Sequence, residues 1–318
     1  MKAKGKAKQI LVVGSAGFIG KALMRKLSKD GRSAYSLYHT HLPEPLTHIT
    51  PIFADLLKPE QLETMVRQSD EVIYLAWSNP LRSLKAQAAP NNDSPNILML
   101  RNLVHAMEQQ GSRRIIFVSS LGASRFAESH YLKEKYMAES VIINSNIPEK
   151  ILLRSPILYS DLNAKDKFVQ SIESLMTMPW VYPIPKLTDK ITPMHVNDLV
   201  ETLIKLIEVP LPTPVQLIEL IGKESLALDE IFKSVSQGIG KSHHVALKGF
   251  IGDALTPLFE KLHGRKRFEG PSLRDMLTVA TAKRDADGDS PINEKLPSVA
   301  HSFDQAMGRS KNNTPELN

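Results

Sequence analysis

The chain has no cysteine among its 318 residues. Disulfides, thiolate metal sites and a cysteine nucleophile are therefore excluded. It also lacks any apolar run long enough to span a bilayer. Its start, "MKAKGKAKQ", is basic, but the apolar run behind it is only "ILVVG" and enters a glycine turn, so it does not read as a secretory signal. A cytoplasmic location without membrane contact is the expectation. No nucleic-acid module accompanies the formal charge of +6, part of which sits on Lys2, Lys4, Lys6 and Lys8. That excess reads as a mildly basic surface, and nucleic acid is not an expected partner. No internal repeat is visible. The histidines form no metal pattern. His39, His41 and His48 lack a carboxylate pair at ligand spacing, and His243 and His244 are adjacent. The acidic run "DADGD" (285–289) is shorter than a calcium loop. No metal is expected.

What the chain does have is a glycine turn in a telling place. In "ILVVGSAGFIGKAL", Ile10 to Val13 is short and β-branched and stops at Gly14, as a buried strand would. From Phe18 onward, Phe18, Ile19, Ala22, Leu23 and Leu27 recur at helical spacing until Gly31. A strand turning sharply into a helix aims the first helical N–H groups at one spot, which favours an anion. Gly14 permits the turn, Gly17 clears space for a pyrophosphate, and Gly20 lets helix and strand pack closely. The stretch Gly14, Ser15, Ala16, Gly17, Phe18, Ile19 and Gly20 is the candidate dinucleotide site.

Strand and helix patterns alternate through the first half of the chain. Strands are expected at 34–39, in "ITPIFADLL" up to Asp55 and Leu56, and at 71–77, 114–120 and 150–160. Helices are expected at 59–69, 96–111 and 131–145. Such alternation predicts an α/β fold, a doubly wound parallel sheet of Rossmann type. Further on, helices are expected at 168–178, 195–208 and 226–240, the last opened by Asp229, with a strand at 215–222. "GDALTPLFEKL" is expected to be helical, and the tails 1–8 and 308–318 disordered. The expected organisation is a dinucleotide-binding domain of residues 9–160 plus 192–222. A smaller, mixed C-terminal substrate-binding region takes 161–191 plus 223–307.

In "YLKEK", Tyr131 and Lys135 stand four apart, on one face of a helix. An ammonium near a phenol lowers its pKa, so Tyr131 is a candidate acid/base near neutral pH. Strand "RIIFVSS" ends in Ser119 and Ser120 shortly before it, at the strand end where ligands bind in such sheets.

Taken together, these motifs resemble the short-chain dehydrogenase/reductase superfamily. The similarity is to its extended and atypical branch, which includes the NAD-dependent epimerase/dehydratase proteins. The resemblance runs from Ile10 to Gly240: "GSAGFIG", "ADL", "YLAW", "NILMLRNL", "VSSLGAS" with "YLKEK", "LLRSPILYS" and "HVNDLVETL". It implies Tyr131 as general acid/base, with Lys135 lowering its pKa and holding the nicotinamide ribose. Ser120 would orient the substrate oxygen, with Ser119 the alternative. It implies cofactor contacts at Tyr38, His39, Asp55, Leu56, Leu75, Ala76, Trp77, Asn96, Ser119, Ser155, Pro156 and Ile157, besides the glycine turn. Two departures stand out. Ser155 and Pro156 are in reversed order with Ser160 where relatives often carry glycine, which bears on the cleft floor. Second, no acid ends the second strand, where Tyr38 and His39 stand instead. NAD-preferring members bind the ribose hydroxyls with that acid, so its absence favours NADP over NAD.

The expected function is an NAD(P)-dependent oxidoreductase passing a hydride between the cofactor and a small-molecule carbonyl/alcohol substrate. A sugar-nucleotide epimerase or dehydratase is the alternative, weakened by the short interval from Ser120 to Tyr131. A non-catalytic redox sensor or complex subunit is an alternative of another class, weakened by the complete Ser120–Tyr131–Lys135 set. The region 161–191 and the chain after Val209 are expected to form the substrate lid and pocket. The "MTMPWVYPIP" stretch there reads as core packing before pocket wall. A homodimer through surface helices is left open.

Overall fold

The computed structural model describes residues 9–66, 71–77, 94–127, 129–162, 167–176, 181–184, 190–240, 245–247 and 292–308. The expectations for the tails 1–8 and 309–318, for "GDALTPLFEKL", His243, His244 and "DADGD" lie outside them. The chain divides into two compact units, the first formed by the described residues of Met1–Arg154, Val200–Glu219 and Arg284–Pro297.

The first unit holds β1 (Ile10–Val13), α1 (Phe18–Lys29), β2 (Ala34–Tyr38), β3 (Ile49–Phe53), α2 (Pro59–Val66), β4 (Glu71–Tyr74), α3 (Pro95–Gln110), β5 (Arg114–Ser120), α4 (His130–Ile143) and β6 (Glu149–Ser155). The strand β10 (Val215–Glu219) completes a seven-stranded parallel sheet of order β10-β6-β5-β4-β1-β2-β3. This is the doubly wound arrangement that the alternation predicts. Strand order reverses between β1 and β4, where Ile10 to Val13 pair with Glu71 to Tyr74. A crevice at the carboxyl ends of these two strands is the ligand site of such sheets.

The central strands are apolar because helices cover both faces. Every residue of β1, β4 and β5 is buried. The edge strand β3 is mostly exposed and carries Pro51, which a central strand would not accept. Local signals fix the helix ends. Ser94 caps α3 by accepting the Ile97 N–H at 3.3 Å, Pro95 opens it, and Gly111 ends it in the left-handed conformation at φ 68°.

One buried cation ties distant segments together. The Arg114 side chain is fully buried, and its Nη1 donates to Leu206 O at 2.6 Å and Ile207 O at 3.1 Å. Its Nη2 donates to Val209 O at 3.1 Å, and its Nε to Glu149 Oε2 at 2.6 Å. The guanidinium thus satisfies carbonyls at the end of α6 (Val196–Glu208), which no helical N–H can reach.

The second unit comprises the described residues of Ser155–Leu199, Leu220–Lys283 and Ser298–Asn318. It holds β7 (Leu158–Tyr159), α5 (Lys167–Leu175), β8 (Val181–Pro183), β9 (Met194–His195), α7 (Leu228–Gly238), β11 (Val245–Leu247) and α8 (Phe303–Gly308). Two small parallel sheets pair β7 with β9 and β11 with β8. The sixth strand does not run to residue 160. It ends at Ser155, before Pro156, and Leu158–Tyr159 joins β9 instead. The division therefore falls at 154/155 and 199/200, not at 160 and 192. The helix α7 starts at Leu228, where the Glu230 carboxylate accepts the Ala227 N–H at 2.6 Å; Asp229 lies in its first turn. In this unit Asp198 accepts from the N–H groups of Ala300 and His301, each at 3.2 Å, and from His301 Nδ1 at 2.7 Å. Phe168, Ile172, Phe232 and Phe303 lie in its core. Among the described residues no helix is long and apolar enough to cross a membrane.

Replacing Arg114 with Met strands three carbonyls and leaves the Glu149 carboxylate to Arg113 alone. Breaking a buried ion pair from one side typically costs about 3–5 kcal/mol. Urea denaturation of R114M is expected to show a loss of that order; a loss below about 1 kcal/mol, the level of an exposed pair, contradicts the assigned role.

Candidate active site

The turn after β1 is built on close backbone contacts. Gly14 has φ +87°, and a Cβ there would stand 2.5 Å from Ala76 N and 2.8 Å from Ala76 Cα. A Cβ on Gly20 would lie 2.4 Å from Gly14 O and 2.6 Å from Ser15 Cα. Neither position accepts a side chain. Gly17 differs: its N–H closes the turn on Gly14 O at 3.1 Å, and an added Cβ would meet only that oxygen, at 3.2 Å. Gly17 is the N-cap of α1, with no side-chain cap and no acid in the first turn. Among the described residues no side chain caps these first helical N–H groups, and the exposed Gly17 leaves room for an acceptor from outside. A pyrophosphate fits this cradle. Ser15 is used otherwise: buried to 1% exposure, its Oγ donates to Leu37 O at 2.9 Å and accepts from Ser36 Oγ at 2.7 Å. Its side chain locks the turn to β2. Beside the turn, Leu75 N donates to Val13 O at 2.8 Å, and Leu75, Ala76 and Trp77 are each half-buried.

At the ends of β2 and β3, Tyr38 meets Phe53 edge-on at 5.8 Å and His39 stacks on the same ring at 6.0 Å. The acid missing from β2 has a neighbour: Asp55 Oδ2 lies 3.7 Å from His39 Nε2, an ion pair whenever that imidazole is protonated. The other oxygen of Asp55 accepts the Leu57 N–H at 2.9 Å. Leu56 is buried in the core, and its carbonyl accepts from Asn102 Nδ2 at 2.9 Å.

The acid–base residues come together at the end of β5 and the start of α4. Ser120 is buried, and its hydroxyl lies near enough to the Tyr131 phenol to favour the phenolate. Ser119 points elsewhere, its Oγ donating to Glu139 Oε1 at 2.5 Å. The alternation of side chains along a strand separates the two serines, and Ser120 is the one beside Tyr131. Lys135 Nζ donates to Val118 O at 3.0 Å and lies 3.9 Å from the centroid of the Trp77 ring and 4.8 Å from that of Phe117. It is 5.8 Å from the centre of the Tyr131 ring.

These positions correct the expected electrostatics. Burial pushes the Tyr131 phenol up to about 12, although its bond to Ser120 pulls the other way. Burial likewise brings the Lys135 ammonium down to about 7, against the raising effect of Glu134 and Glu139. In this geometry desolvation dominates, and Tyr131 rests as a phenol rather than near its ionisation point.

Several contributors escaped the sequence reading. Trp77 supplies the face on which Lys135 lies, and its own Nε1 is buried without a partner among the described residues. Glu134 is held by Asn96 Nδ2 at 3.0 Å. Asn96 thus reaches α4, as well as standing at the start of α3. Behind the site, Arg154 binds Glu139 through Nε at 2.9 Å and Nη2 at 2.8 Å, and Glu219 through Nη1 at 3.1 Å. Charged letters inside the apolar strands "KILLRS" and "VQLIEL" were the available signal. Ser155, Pro156 and Ile157 fall in the second unit, where Ile157 O accepts the Met194 N–H at 2.9 Å.

A family model described as "NAD(P)H-binding" matches residues 14–175. A protein of Caulobacter vibrioides named ceramide reductase is 23% identical over 234 residues, covering 73% of this chain and 70% of that protein. The mitochondrial "NADH dehydrogenase [ubiquinone] 1 alpha subcomplex subunit 9" of Dictyostelium discoideum is 25% identical over 242 residues, 71% of this chain and 63% of its own length. Among solved structures, a nucleoside-diphosphate-sugar epimerase of Staphylococcus aureus superposes with TM-score 0.71 at 16% identity, covering 94% of this chain and 99% of that one. A UDP-N-acetylglucosamine 4-epimerase of Bacillus cereus gives TM-score 0.65 at 14% identity, with 95% and 98% covered.

The two glycines should separate binding from folding. Gly20→Ala forces backbone against backbone and is expected to lose about 1–3 kcal/mol of stability. Gly17→Val should fold nearly normally and bind NADPH at least about tenfold more weakly, the loss of one good contact's worth of energy. Denaturation and nicotinamide fluorescence read the two effects. Equal effects of both variants on binding and stability contradict the division.

Proposed function

Because the chain belongs to the NAD(P)H-binding family and has the fold of the short-chain dehydrogenase/reductase superfamily, we propose that it is an NADP-dependent oxidoreductase of a carbonyl/alcohol pair. The observation that carries this is Ser120 at the end of β5 beside Tyr131, with Lys135 one helical turn on. The set sits at the carboxyl end of β5, in the same sheet as the glycine turn.

The nicotinamide, when bound, supplies or takes the hydride. The protein does the rest. The N–H groups that open α1 hold the pyrophosphate above Gly17. Ser120 and Tyr131 grip the substrate oxygen together, and the Tyr131 O–H gives it a proton as negative charge builds there. The Lys135 ammonium, lying on the Trp77 ring, steadies the phenolate that this leaves. The absence of an acid at the end of β2, where Tyr38 and His39 stand, supports NADP over NAD.

Two names among the relatives support carbonyl/alcohol chemistry, the ceramide reductase and a 3-beta-hydroxysteroid dehydrogenase of Mycolicibacterium neoaurum, 27% identical over 118 residues. Both names denote a reacting group on an apolar body, so an apolar carbonyl compound is the substrate class to try. The likeness to a subunit of NADH dehydrogenase supports a second reading, a nucleotide-holding part of a larger complex.

Tyr131→Phe separates them. With a panel of apolar ketones and NADPH, the variant is expected to keep nucleotide binding and to lose turnover by about a hundred- to ten-thousand-fold, the usual contribution of a general acid. Full turnover in the variant, or none in the native protein with any member of the panel, favours the second reading.

A further inference from the structure

Between Tyr131 and Lys135, on the same turn of α4, stands an acidic side chain, Glu134. Its carboxylate does not wander. Oε2 accepts the Nδ2–H of Asn96 at 3.0 Å, and Asn96 is fully buried in the first turn of α3. It is the residue next to Lys135 and three after Tyr131 on this helix, and its negative charge favours the ammonium of the one and the phenol of the other.

Lys135 needs such an influence. Among the described residues its Nζ contacts no carboxylate; its partners are the Val118 carbonyl and the faces of Trp77 and Phe117. A carbonyl and aromatic faces offset only part of what an ammonium loses on leaving water. The other acid acting on it, Glu139, is already shared with Arg154 and Ser119, and Arg154 also binds Glu219. The carboxylate not answered by an arginine is Glu134. Ser120, on β5, faces Tyr131 and is uncharged.

We propose that Glu134 is a positioning residue of the acid–base site: pinned by Asn96, its charge favours the Lys135 ammonium on the Trp77 ring and adds to burial in holding Tyr131 as a phenol. At neutral pH the resting site is thereby loaded to give a proton, the state that carbonyl reduction uses. This last consequence rests on the oxidoreductase reading; the charge coupling does not.

The sign follows directly. An anion near Lys135 favours its charged form, so removing the anion makes the lysine lose its proton at lower pH. The Lys135 ammonium lies on Trp77, so indole fluorescence reports its ionisation. The chain has only two tryptophans, and Trp180→Phe leaves Trp77 as the sole emitter. In that background, without cofactor or substrate, the emission is expected to titrate with a midpoint near Lys135's value of about 7, and Lys135→Met to abolish the transition. Glu134→Gln keeps an acceptor for Asn96 and loses the charge. It is expected to move the midpoint down by about one pH unit, a tenfold change in the protonation equilibrium. Glu134→Asp, which restores the charge, is expected to return most of the shift.

An unmoved midpoint in Glu134→Gln overturns the proposal. Should that variant fail to fold by circular dichroism, Asn96→Ala frees the carboxylate without removing it. A smaller downward shift is then expected, and an unchanged midpoint again overturns the proposal. A shifted midpoint in a protein without turnover would leave Glu134 in place and defeat the oxidoreductase reading instead.

Discussion

The site depends on one contact of backbone against backbone. At the switch point of the sheet, Gly14 lies so close to Ala76 that no Cβ fits between them. That approach lets β1 turn at once into α1, and Gly20 lets the helix settle on the turn itself. The N-terminus of α1 is thereby aimed over the carboxyl edge of the sheet, where β4 and β5 deliver Trp77 and Ser120. Ser15 secures the turn to β2 from beneath, so its hydroxyl is spent on the fold. The glycine turn and Ser120 thus stand at the carboxyl edge of one sheet.

Around this lies a second organising feature, charge held away from water. Arg114 fixes the end of α6 at the amino-terminal edge of β5, and Arg154 joins α4 to β6 and β10 through Glu139 and Glu219. Each cation answers carboxylates or carbonyls that would otherwise be stranded. Lys135 is the exception, lying on aromatic rings with acids only at a distance. Its depressed ionisation is the mark of that choice, and such marks gather where proton transfer occurs.

The sheet was legible in the sequence because buried parallel strands and their helices alternate in hydrophobic pattern, and because Ile10–Val13 stops at Gly14. The strand-to-helix turn at Gly14 was legible from its glycines and their apolar flanks, and the four-residue interval placed Tyr131 and Lys135 on one helix. What sequence spacing does not carry is which way a side chain turns against its neighbours. The choice between Ser119 and Ser120 needed the pleat of β5, and the role of Trp77 needed the height at which β4 meets α4. The expected pull of Lys135 on Tyr131 was outweighed because burial depends on surroundings that no local motif records. The end of β6 was misplaced for a plainer reason. Leu158 and Tyr159 are as apolar as the strand before them, and their partners, Met194 and His195, lie far along the chain.

The measurement closest to the centre of this account is a titration of the purified protein with NADPH and, separately, NADH, followed by nicotinamide fluorescence. Saturable binding of both, tighter for NADPH, is the predicted result, since Gly17 opens the cradle and His39 replaces the acid that would repel a 2′-phosphate. Failure of either nucleotide to bind would contradict the account, because the turn built on Gly14 and Ala76 would then hold no dinucleotide.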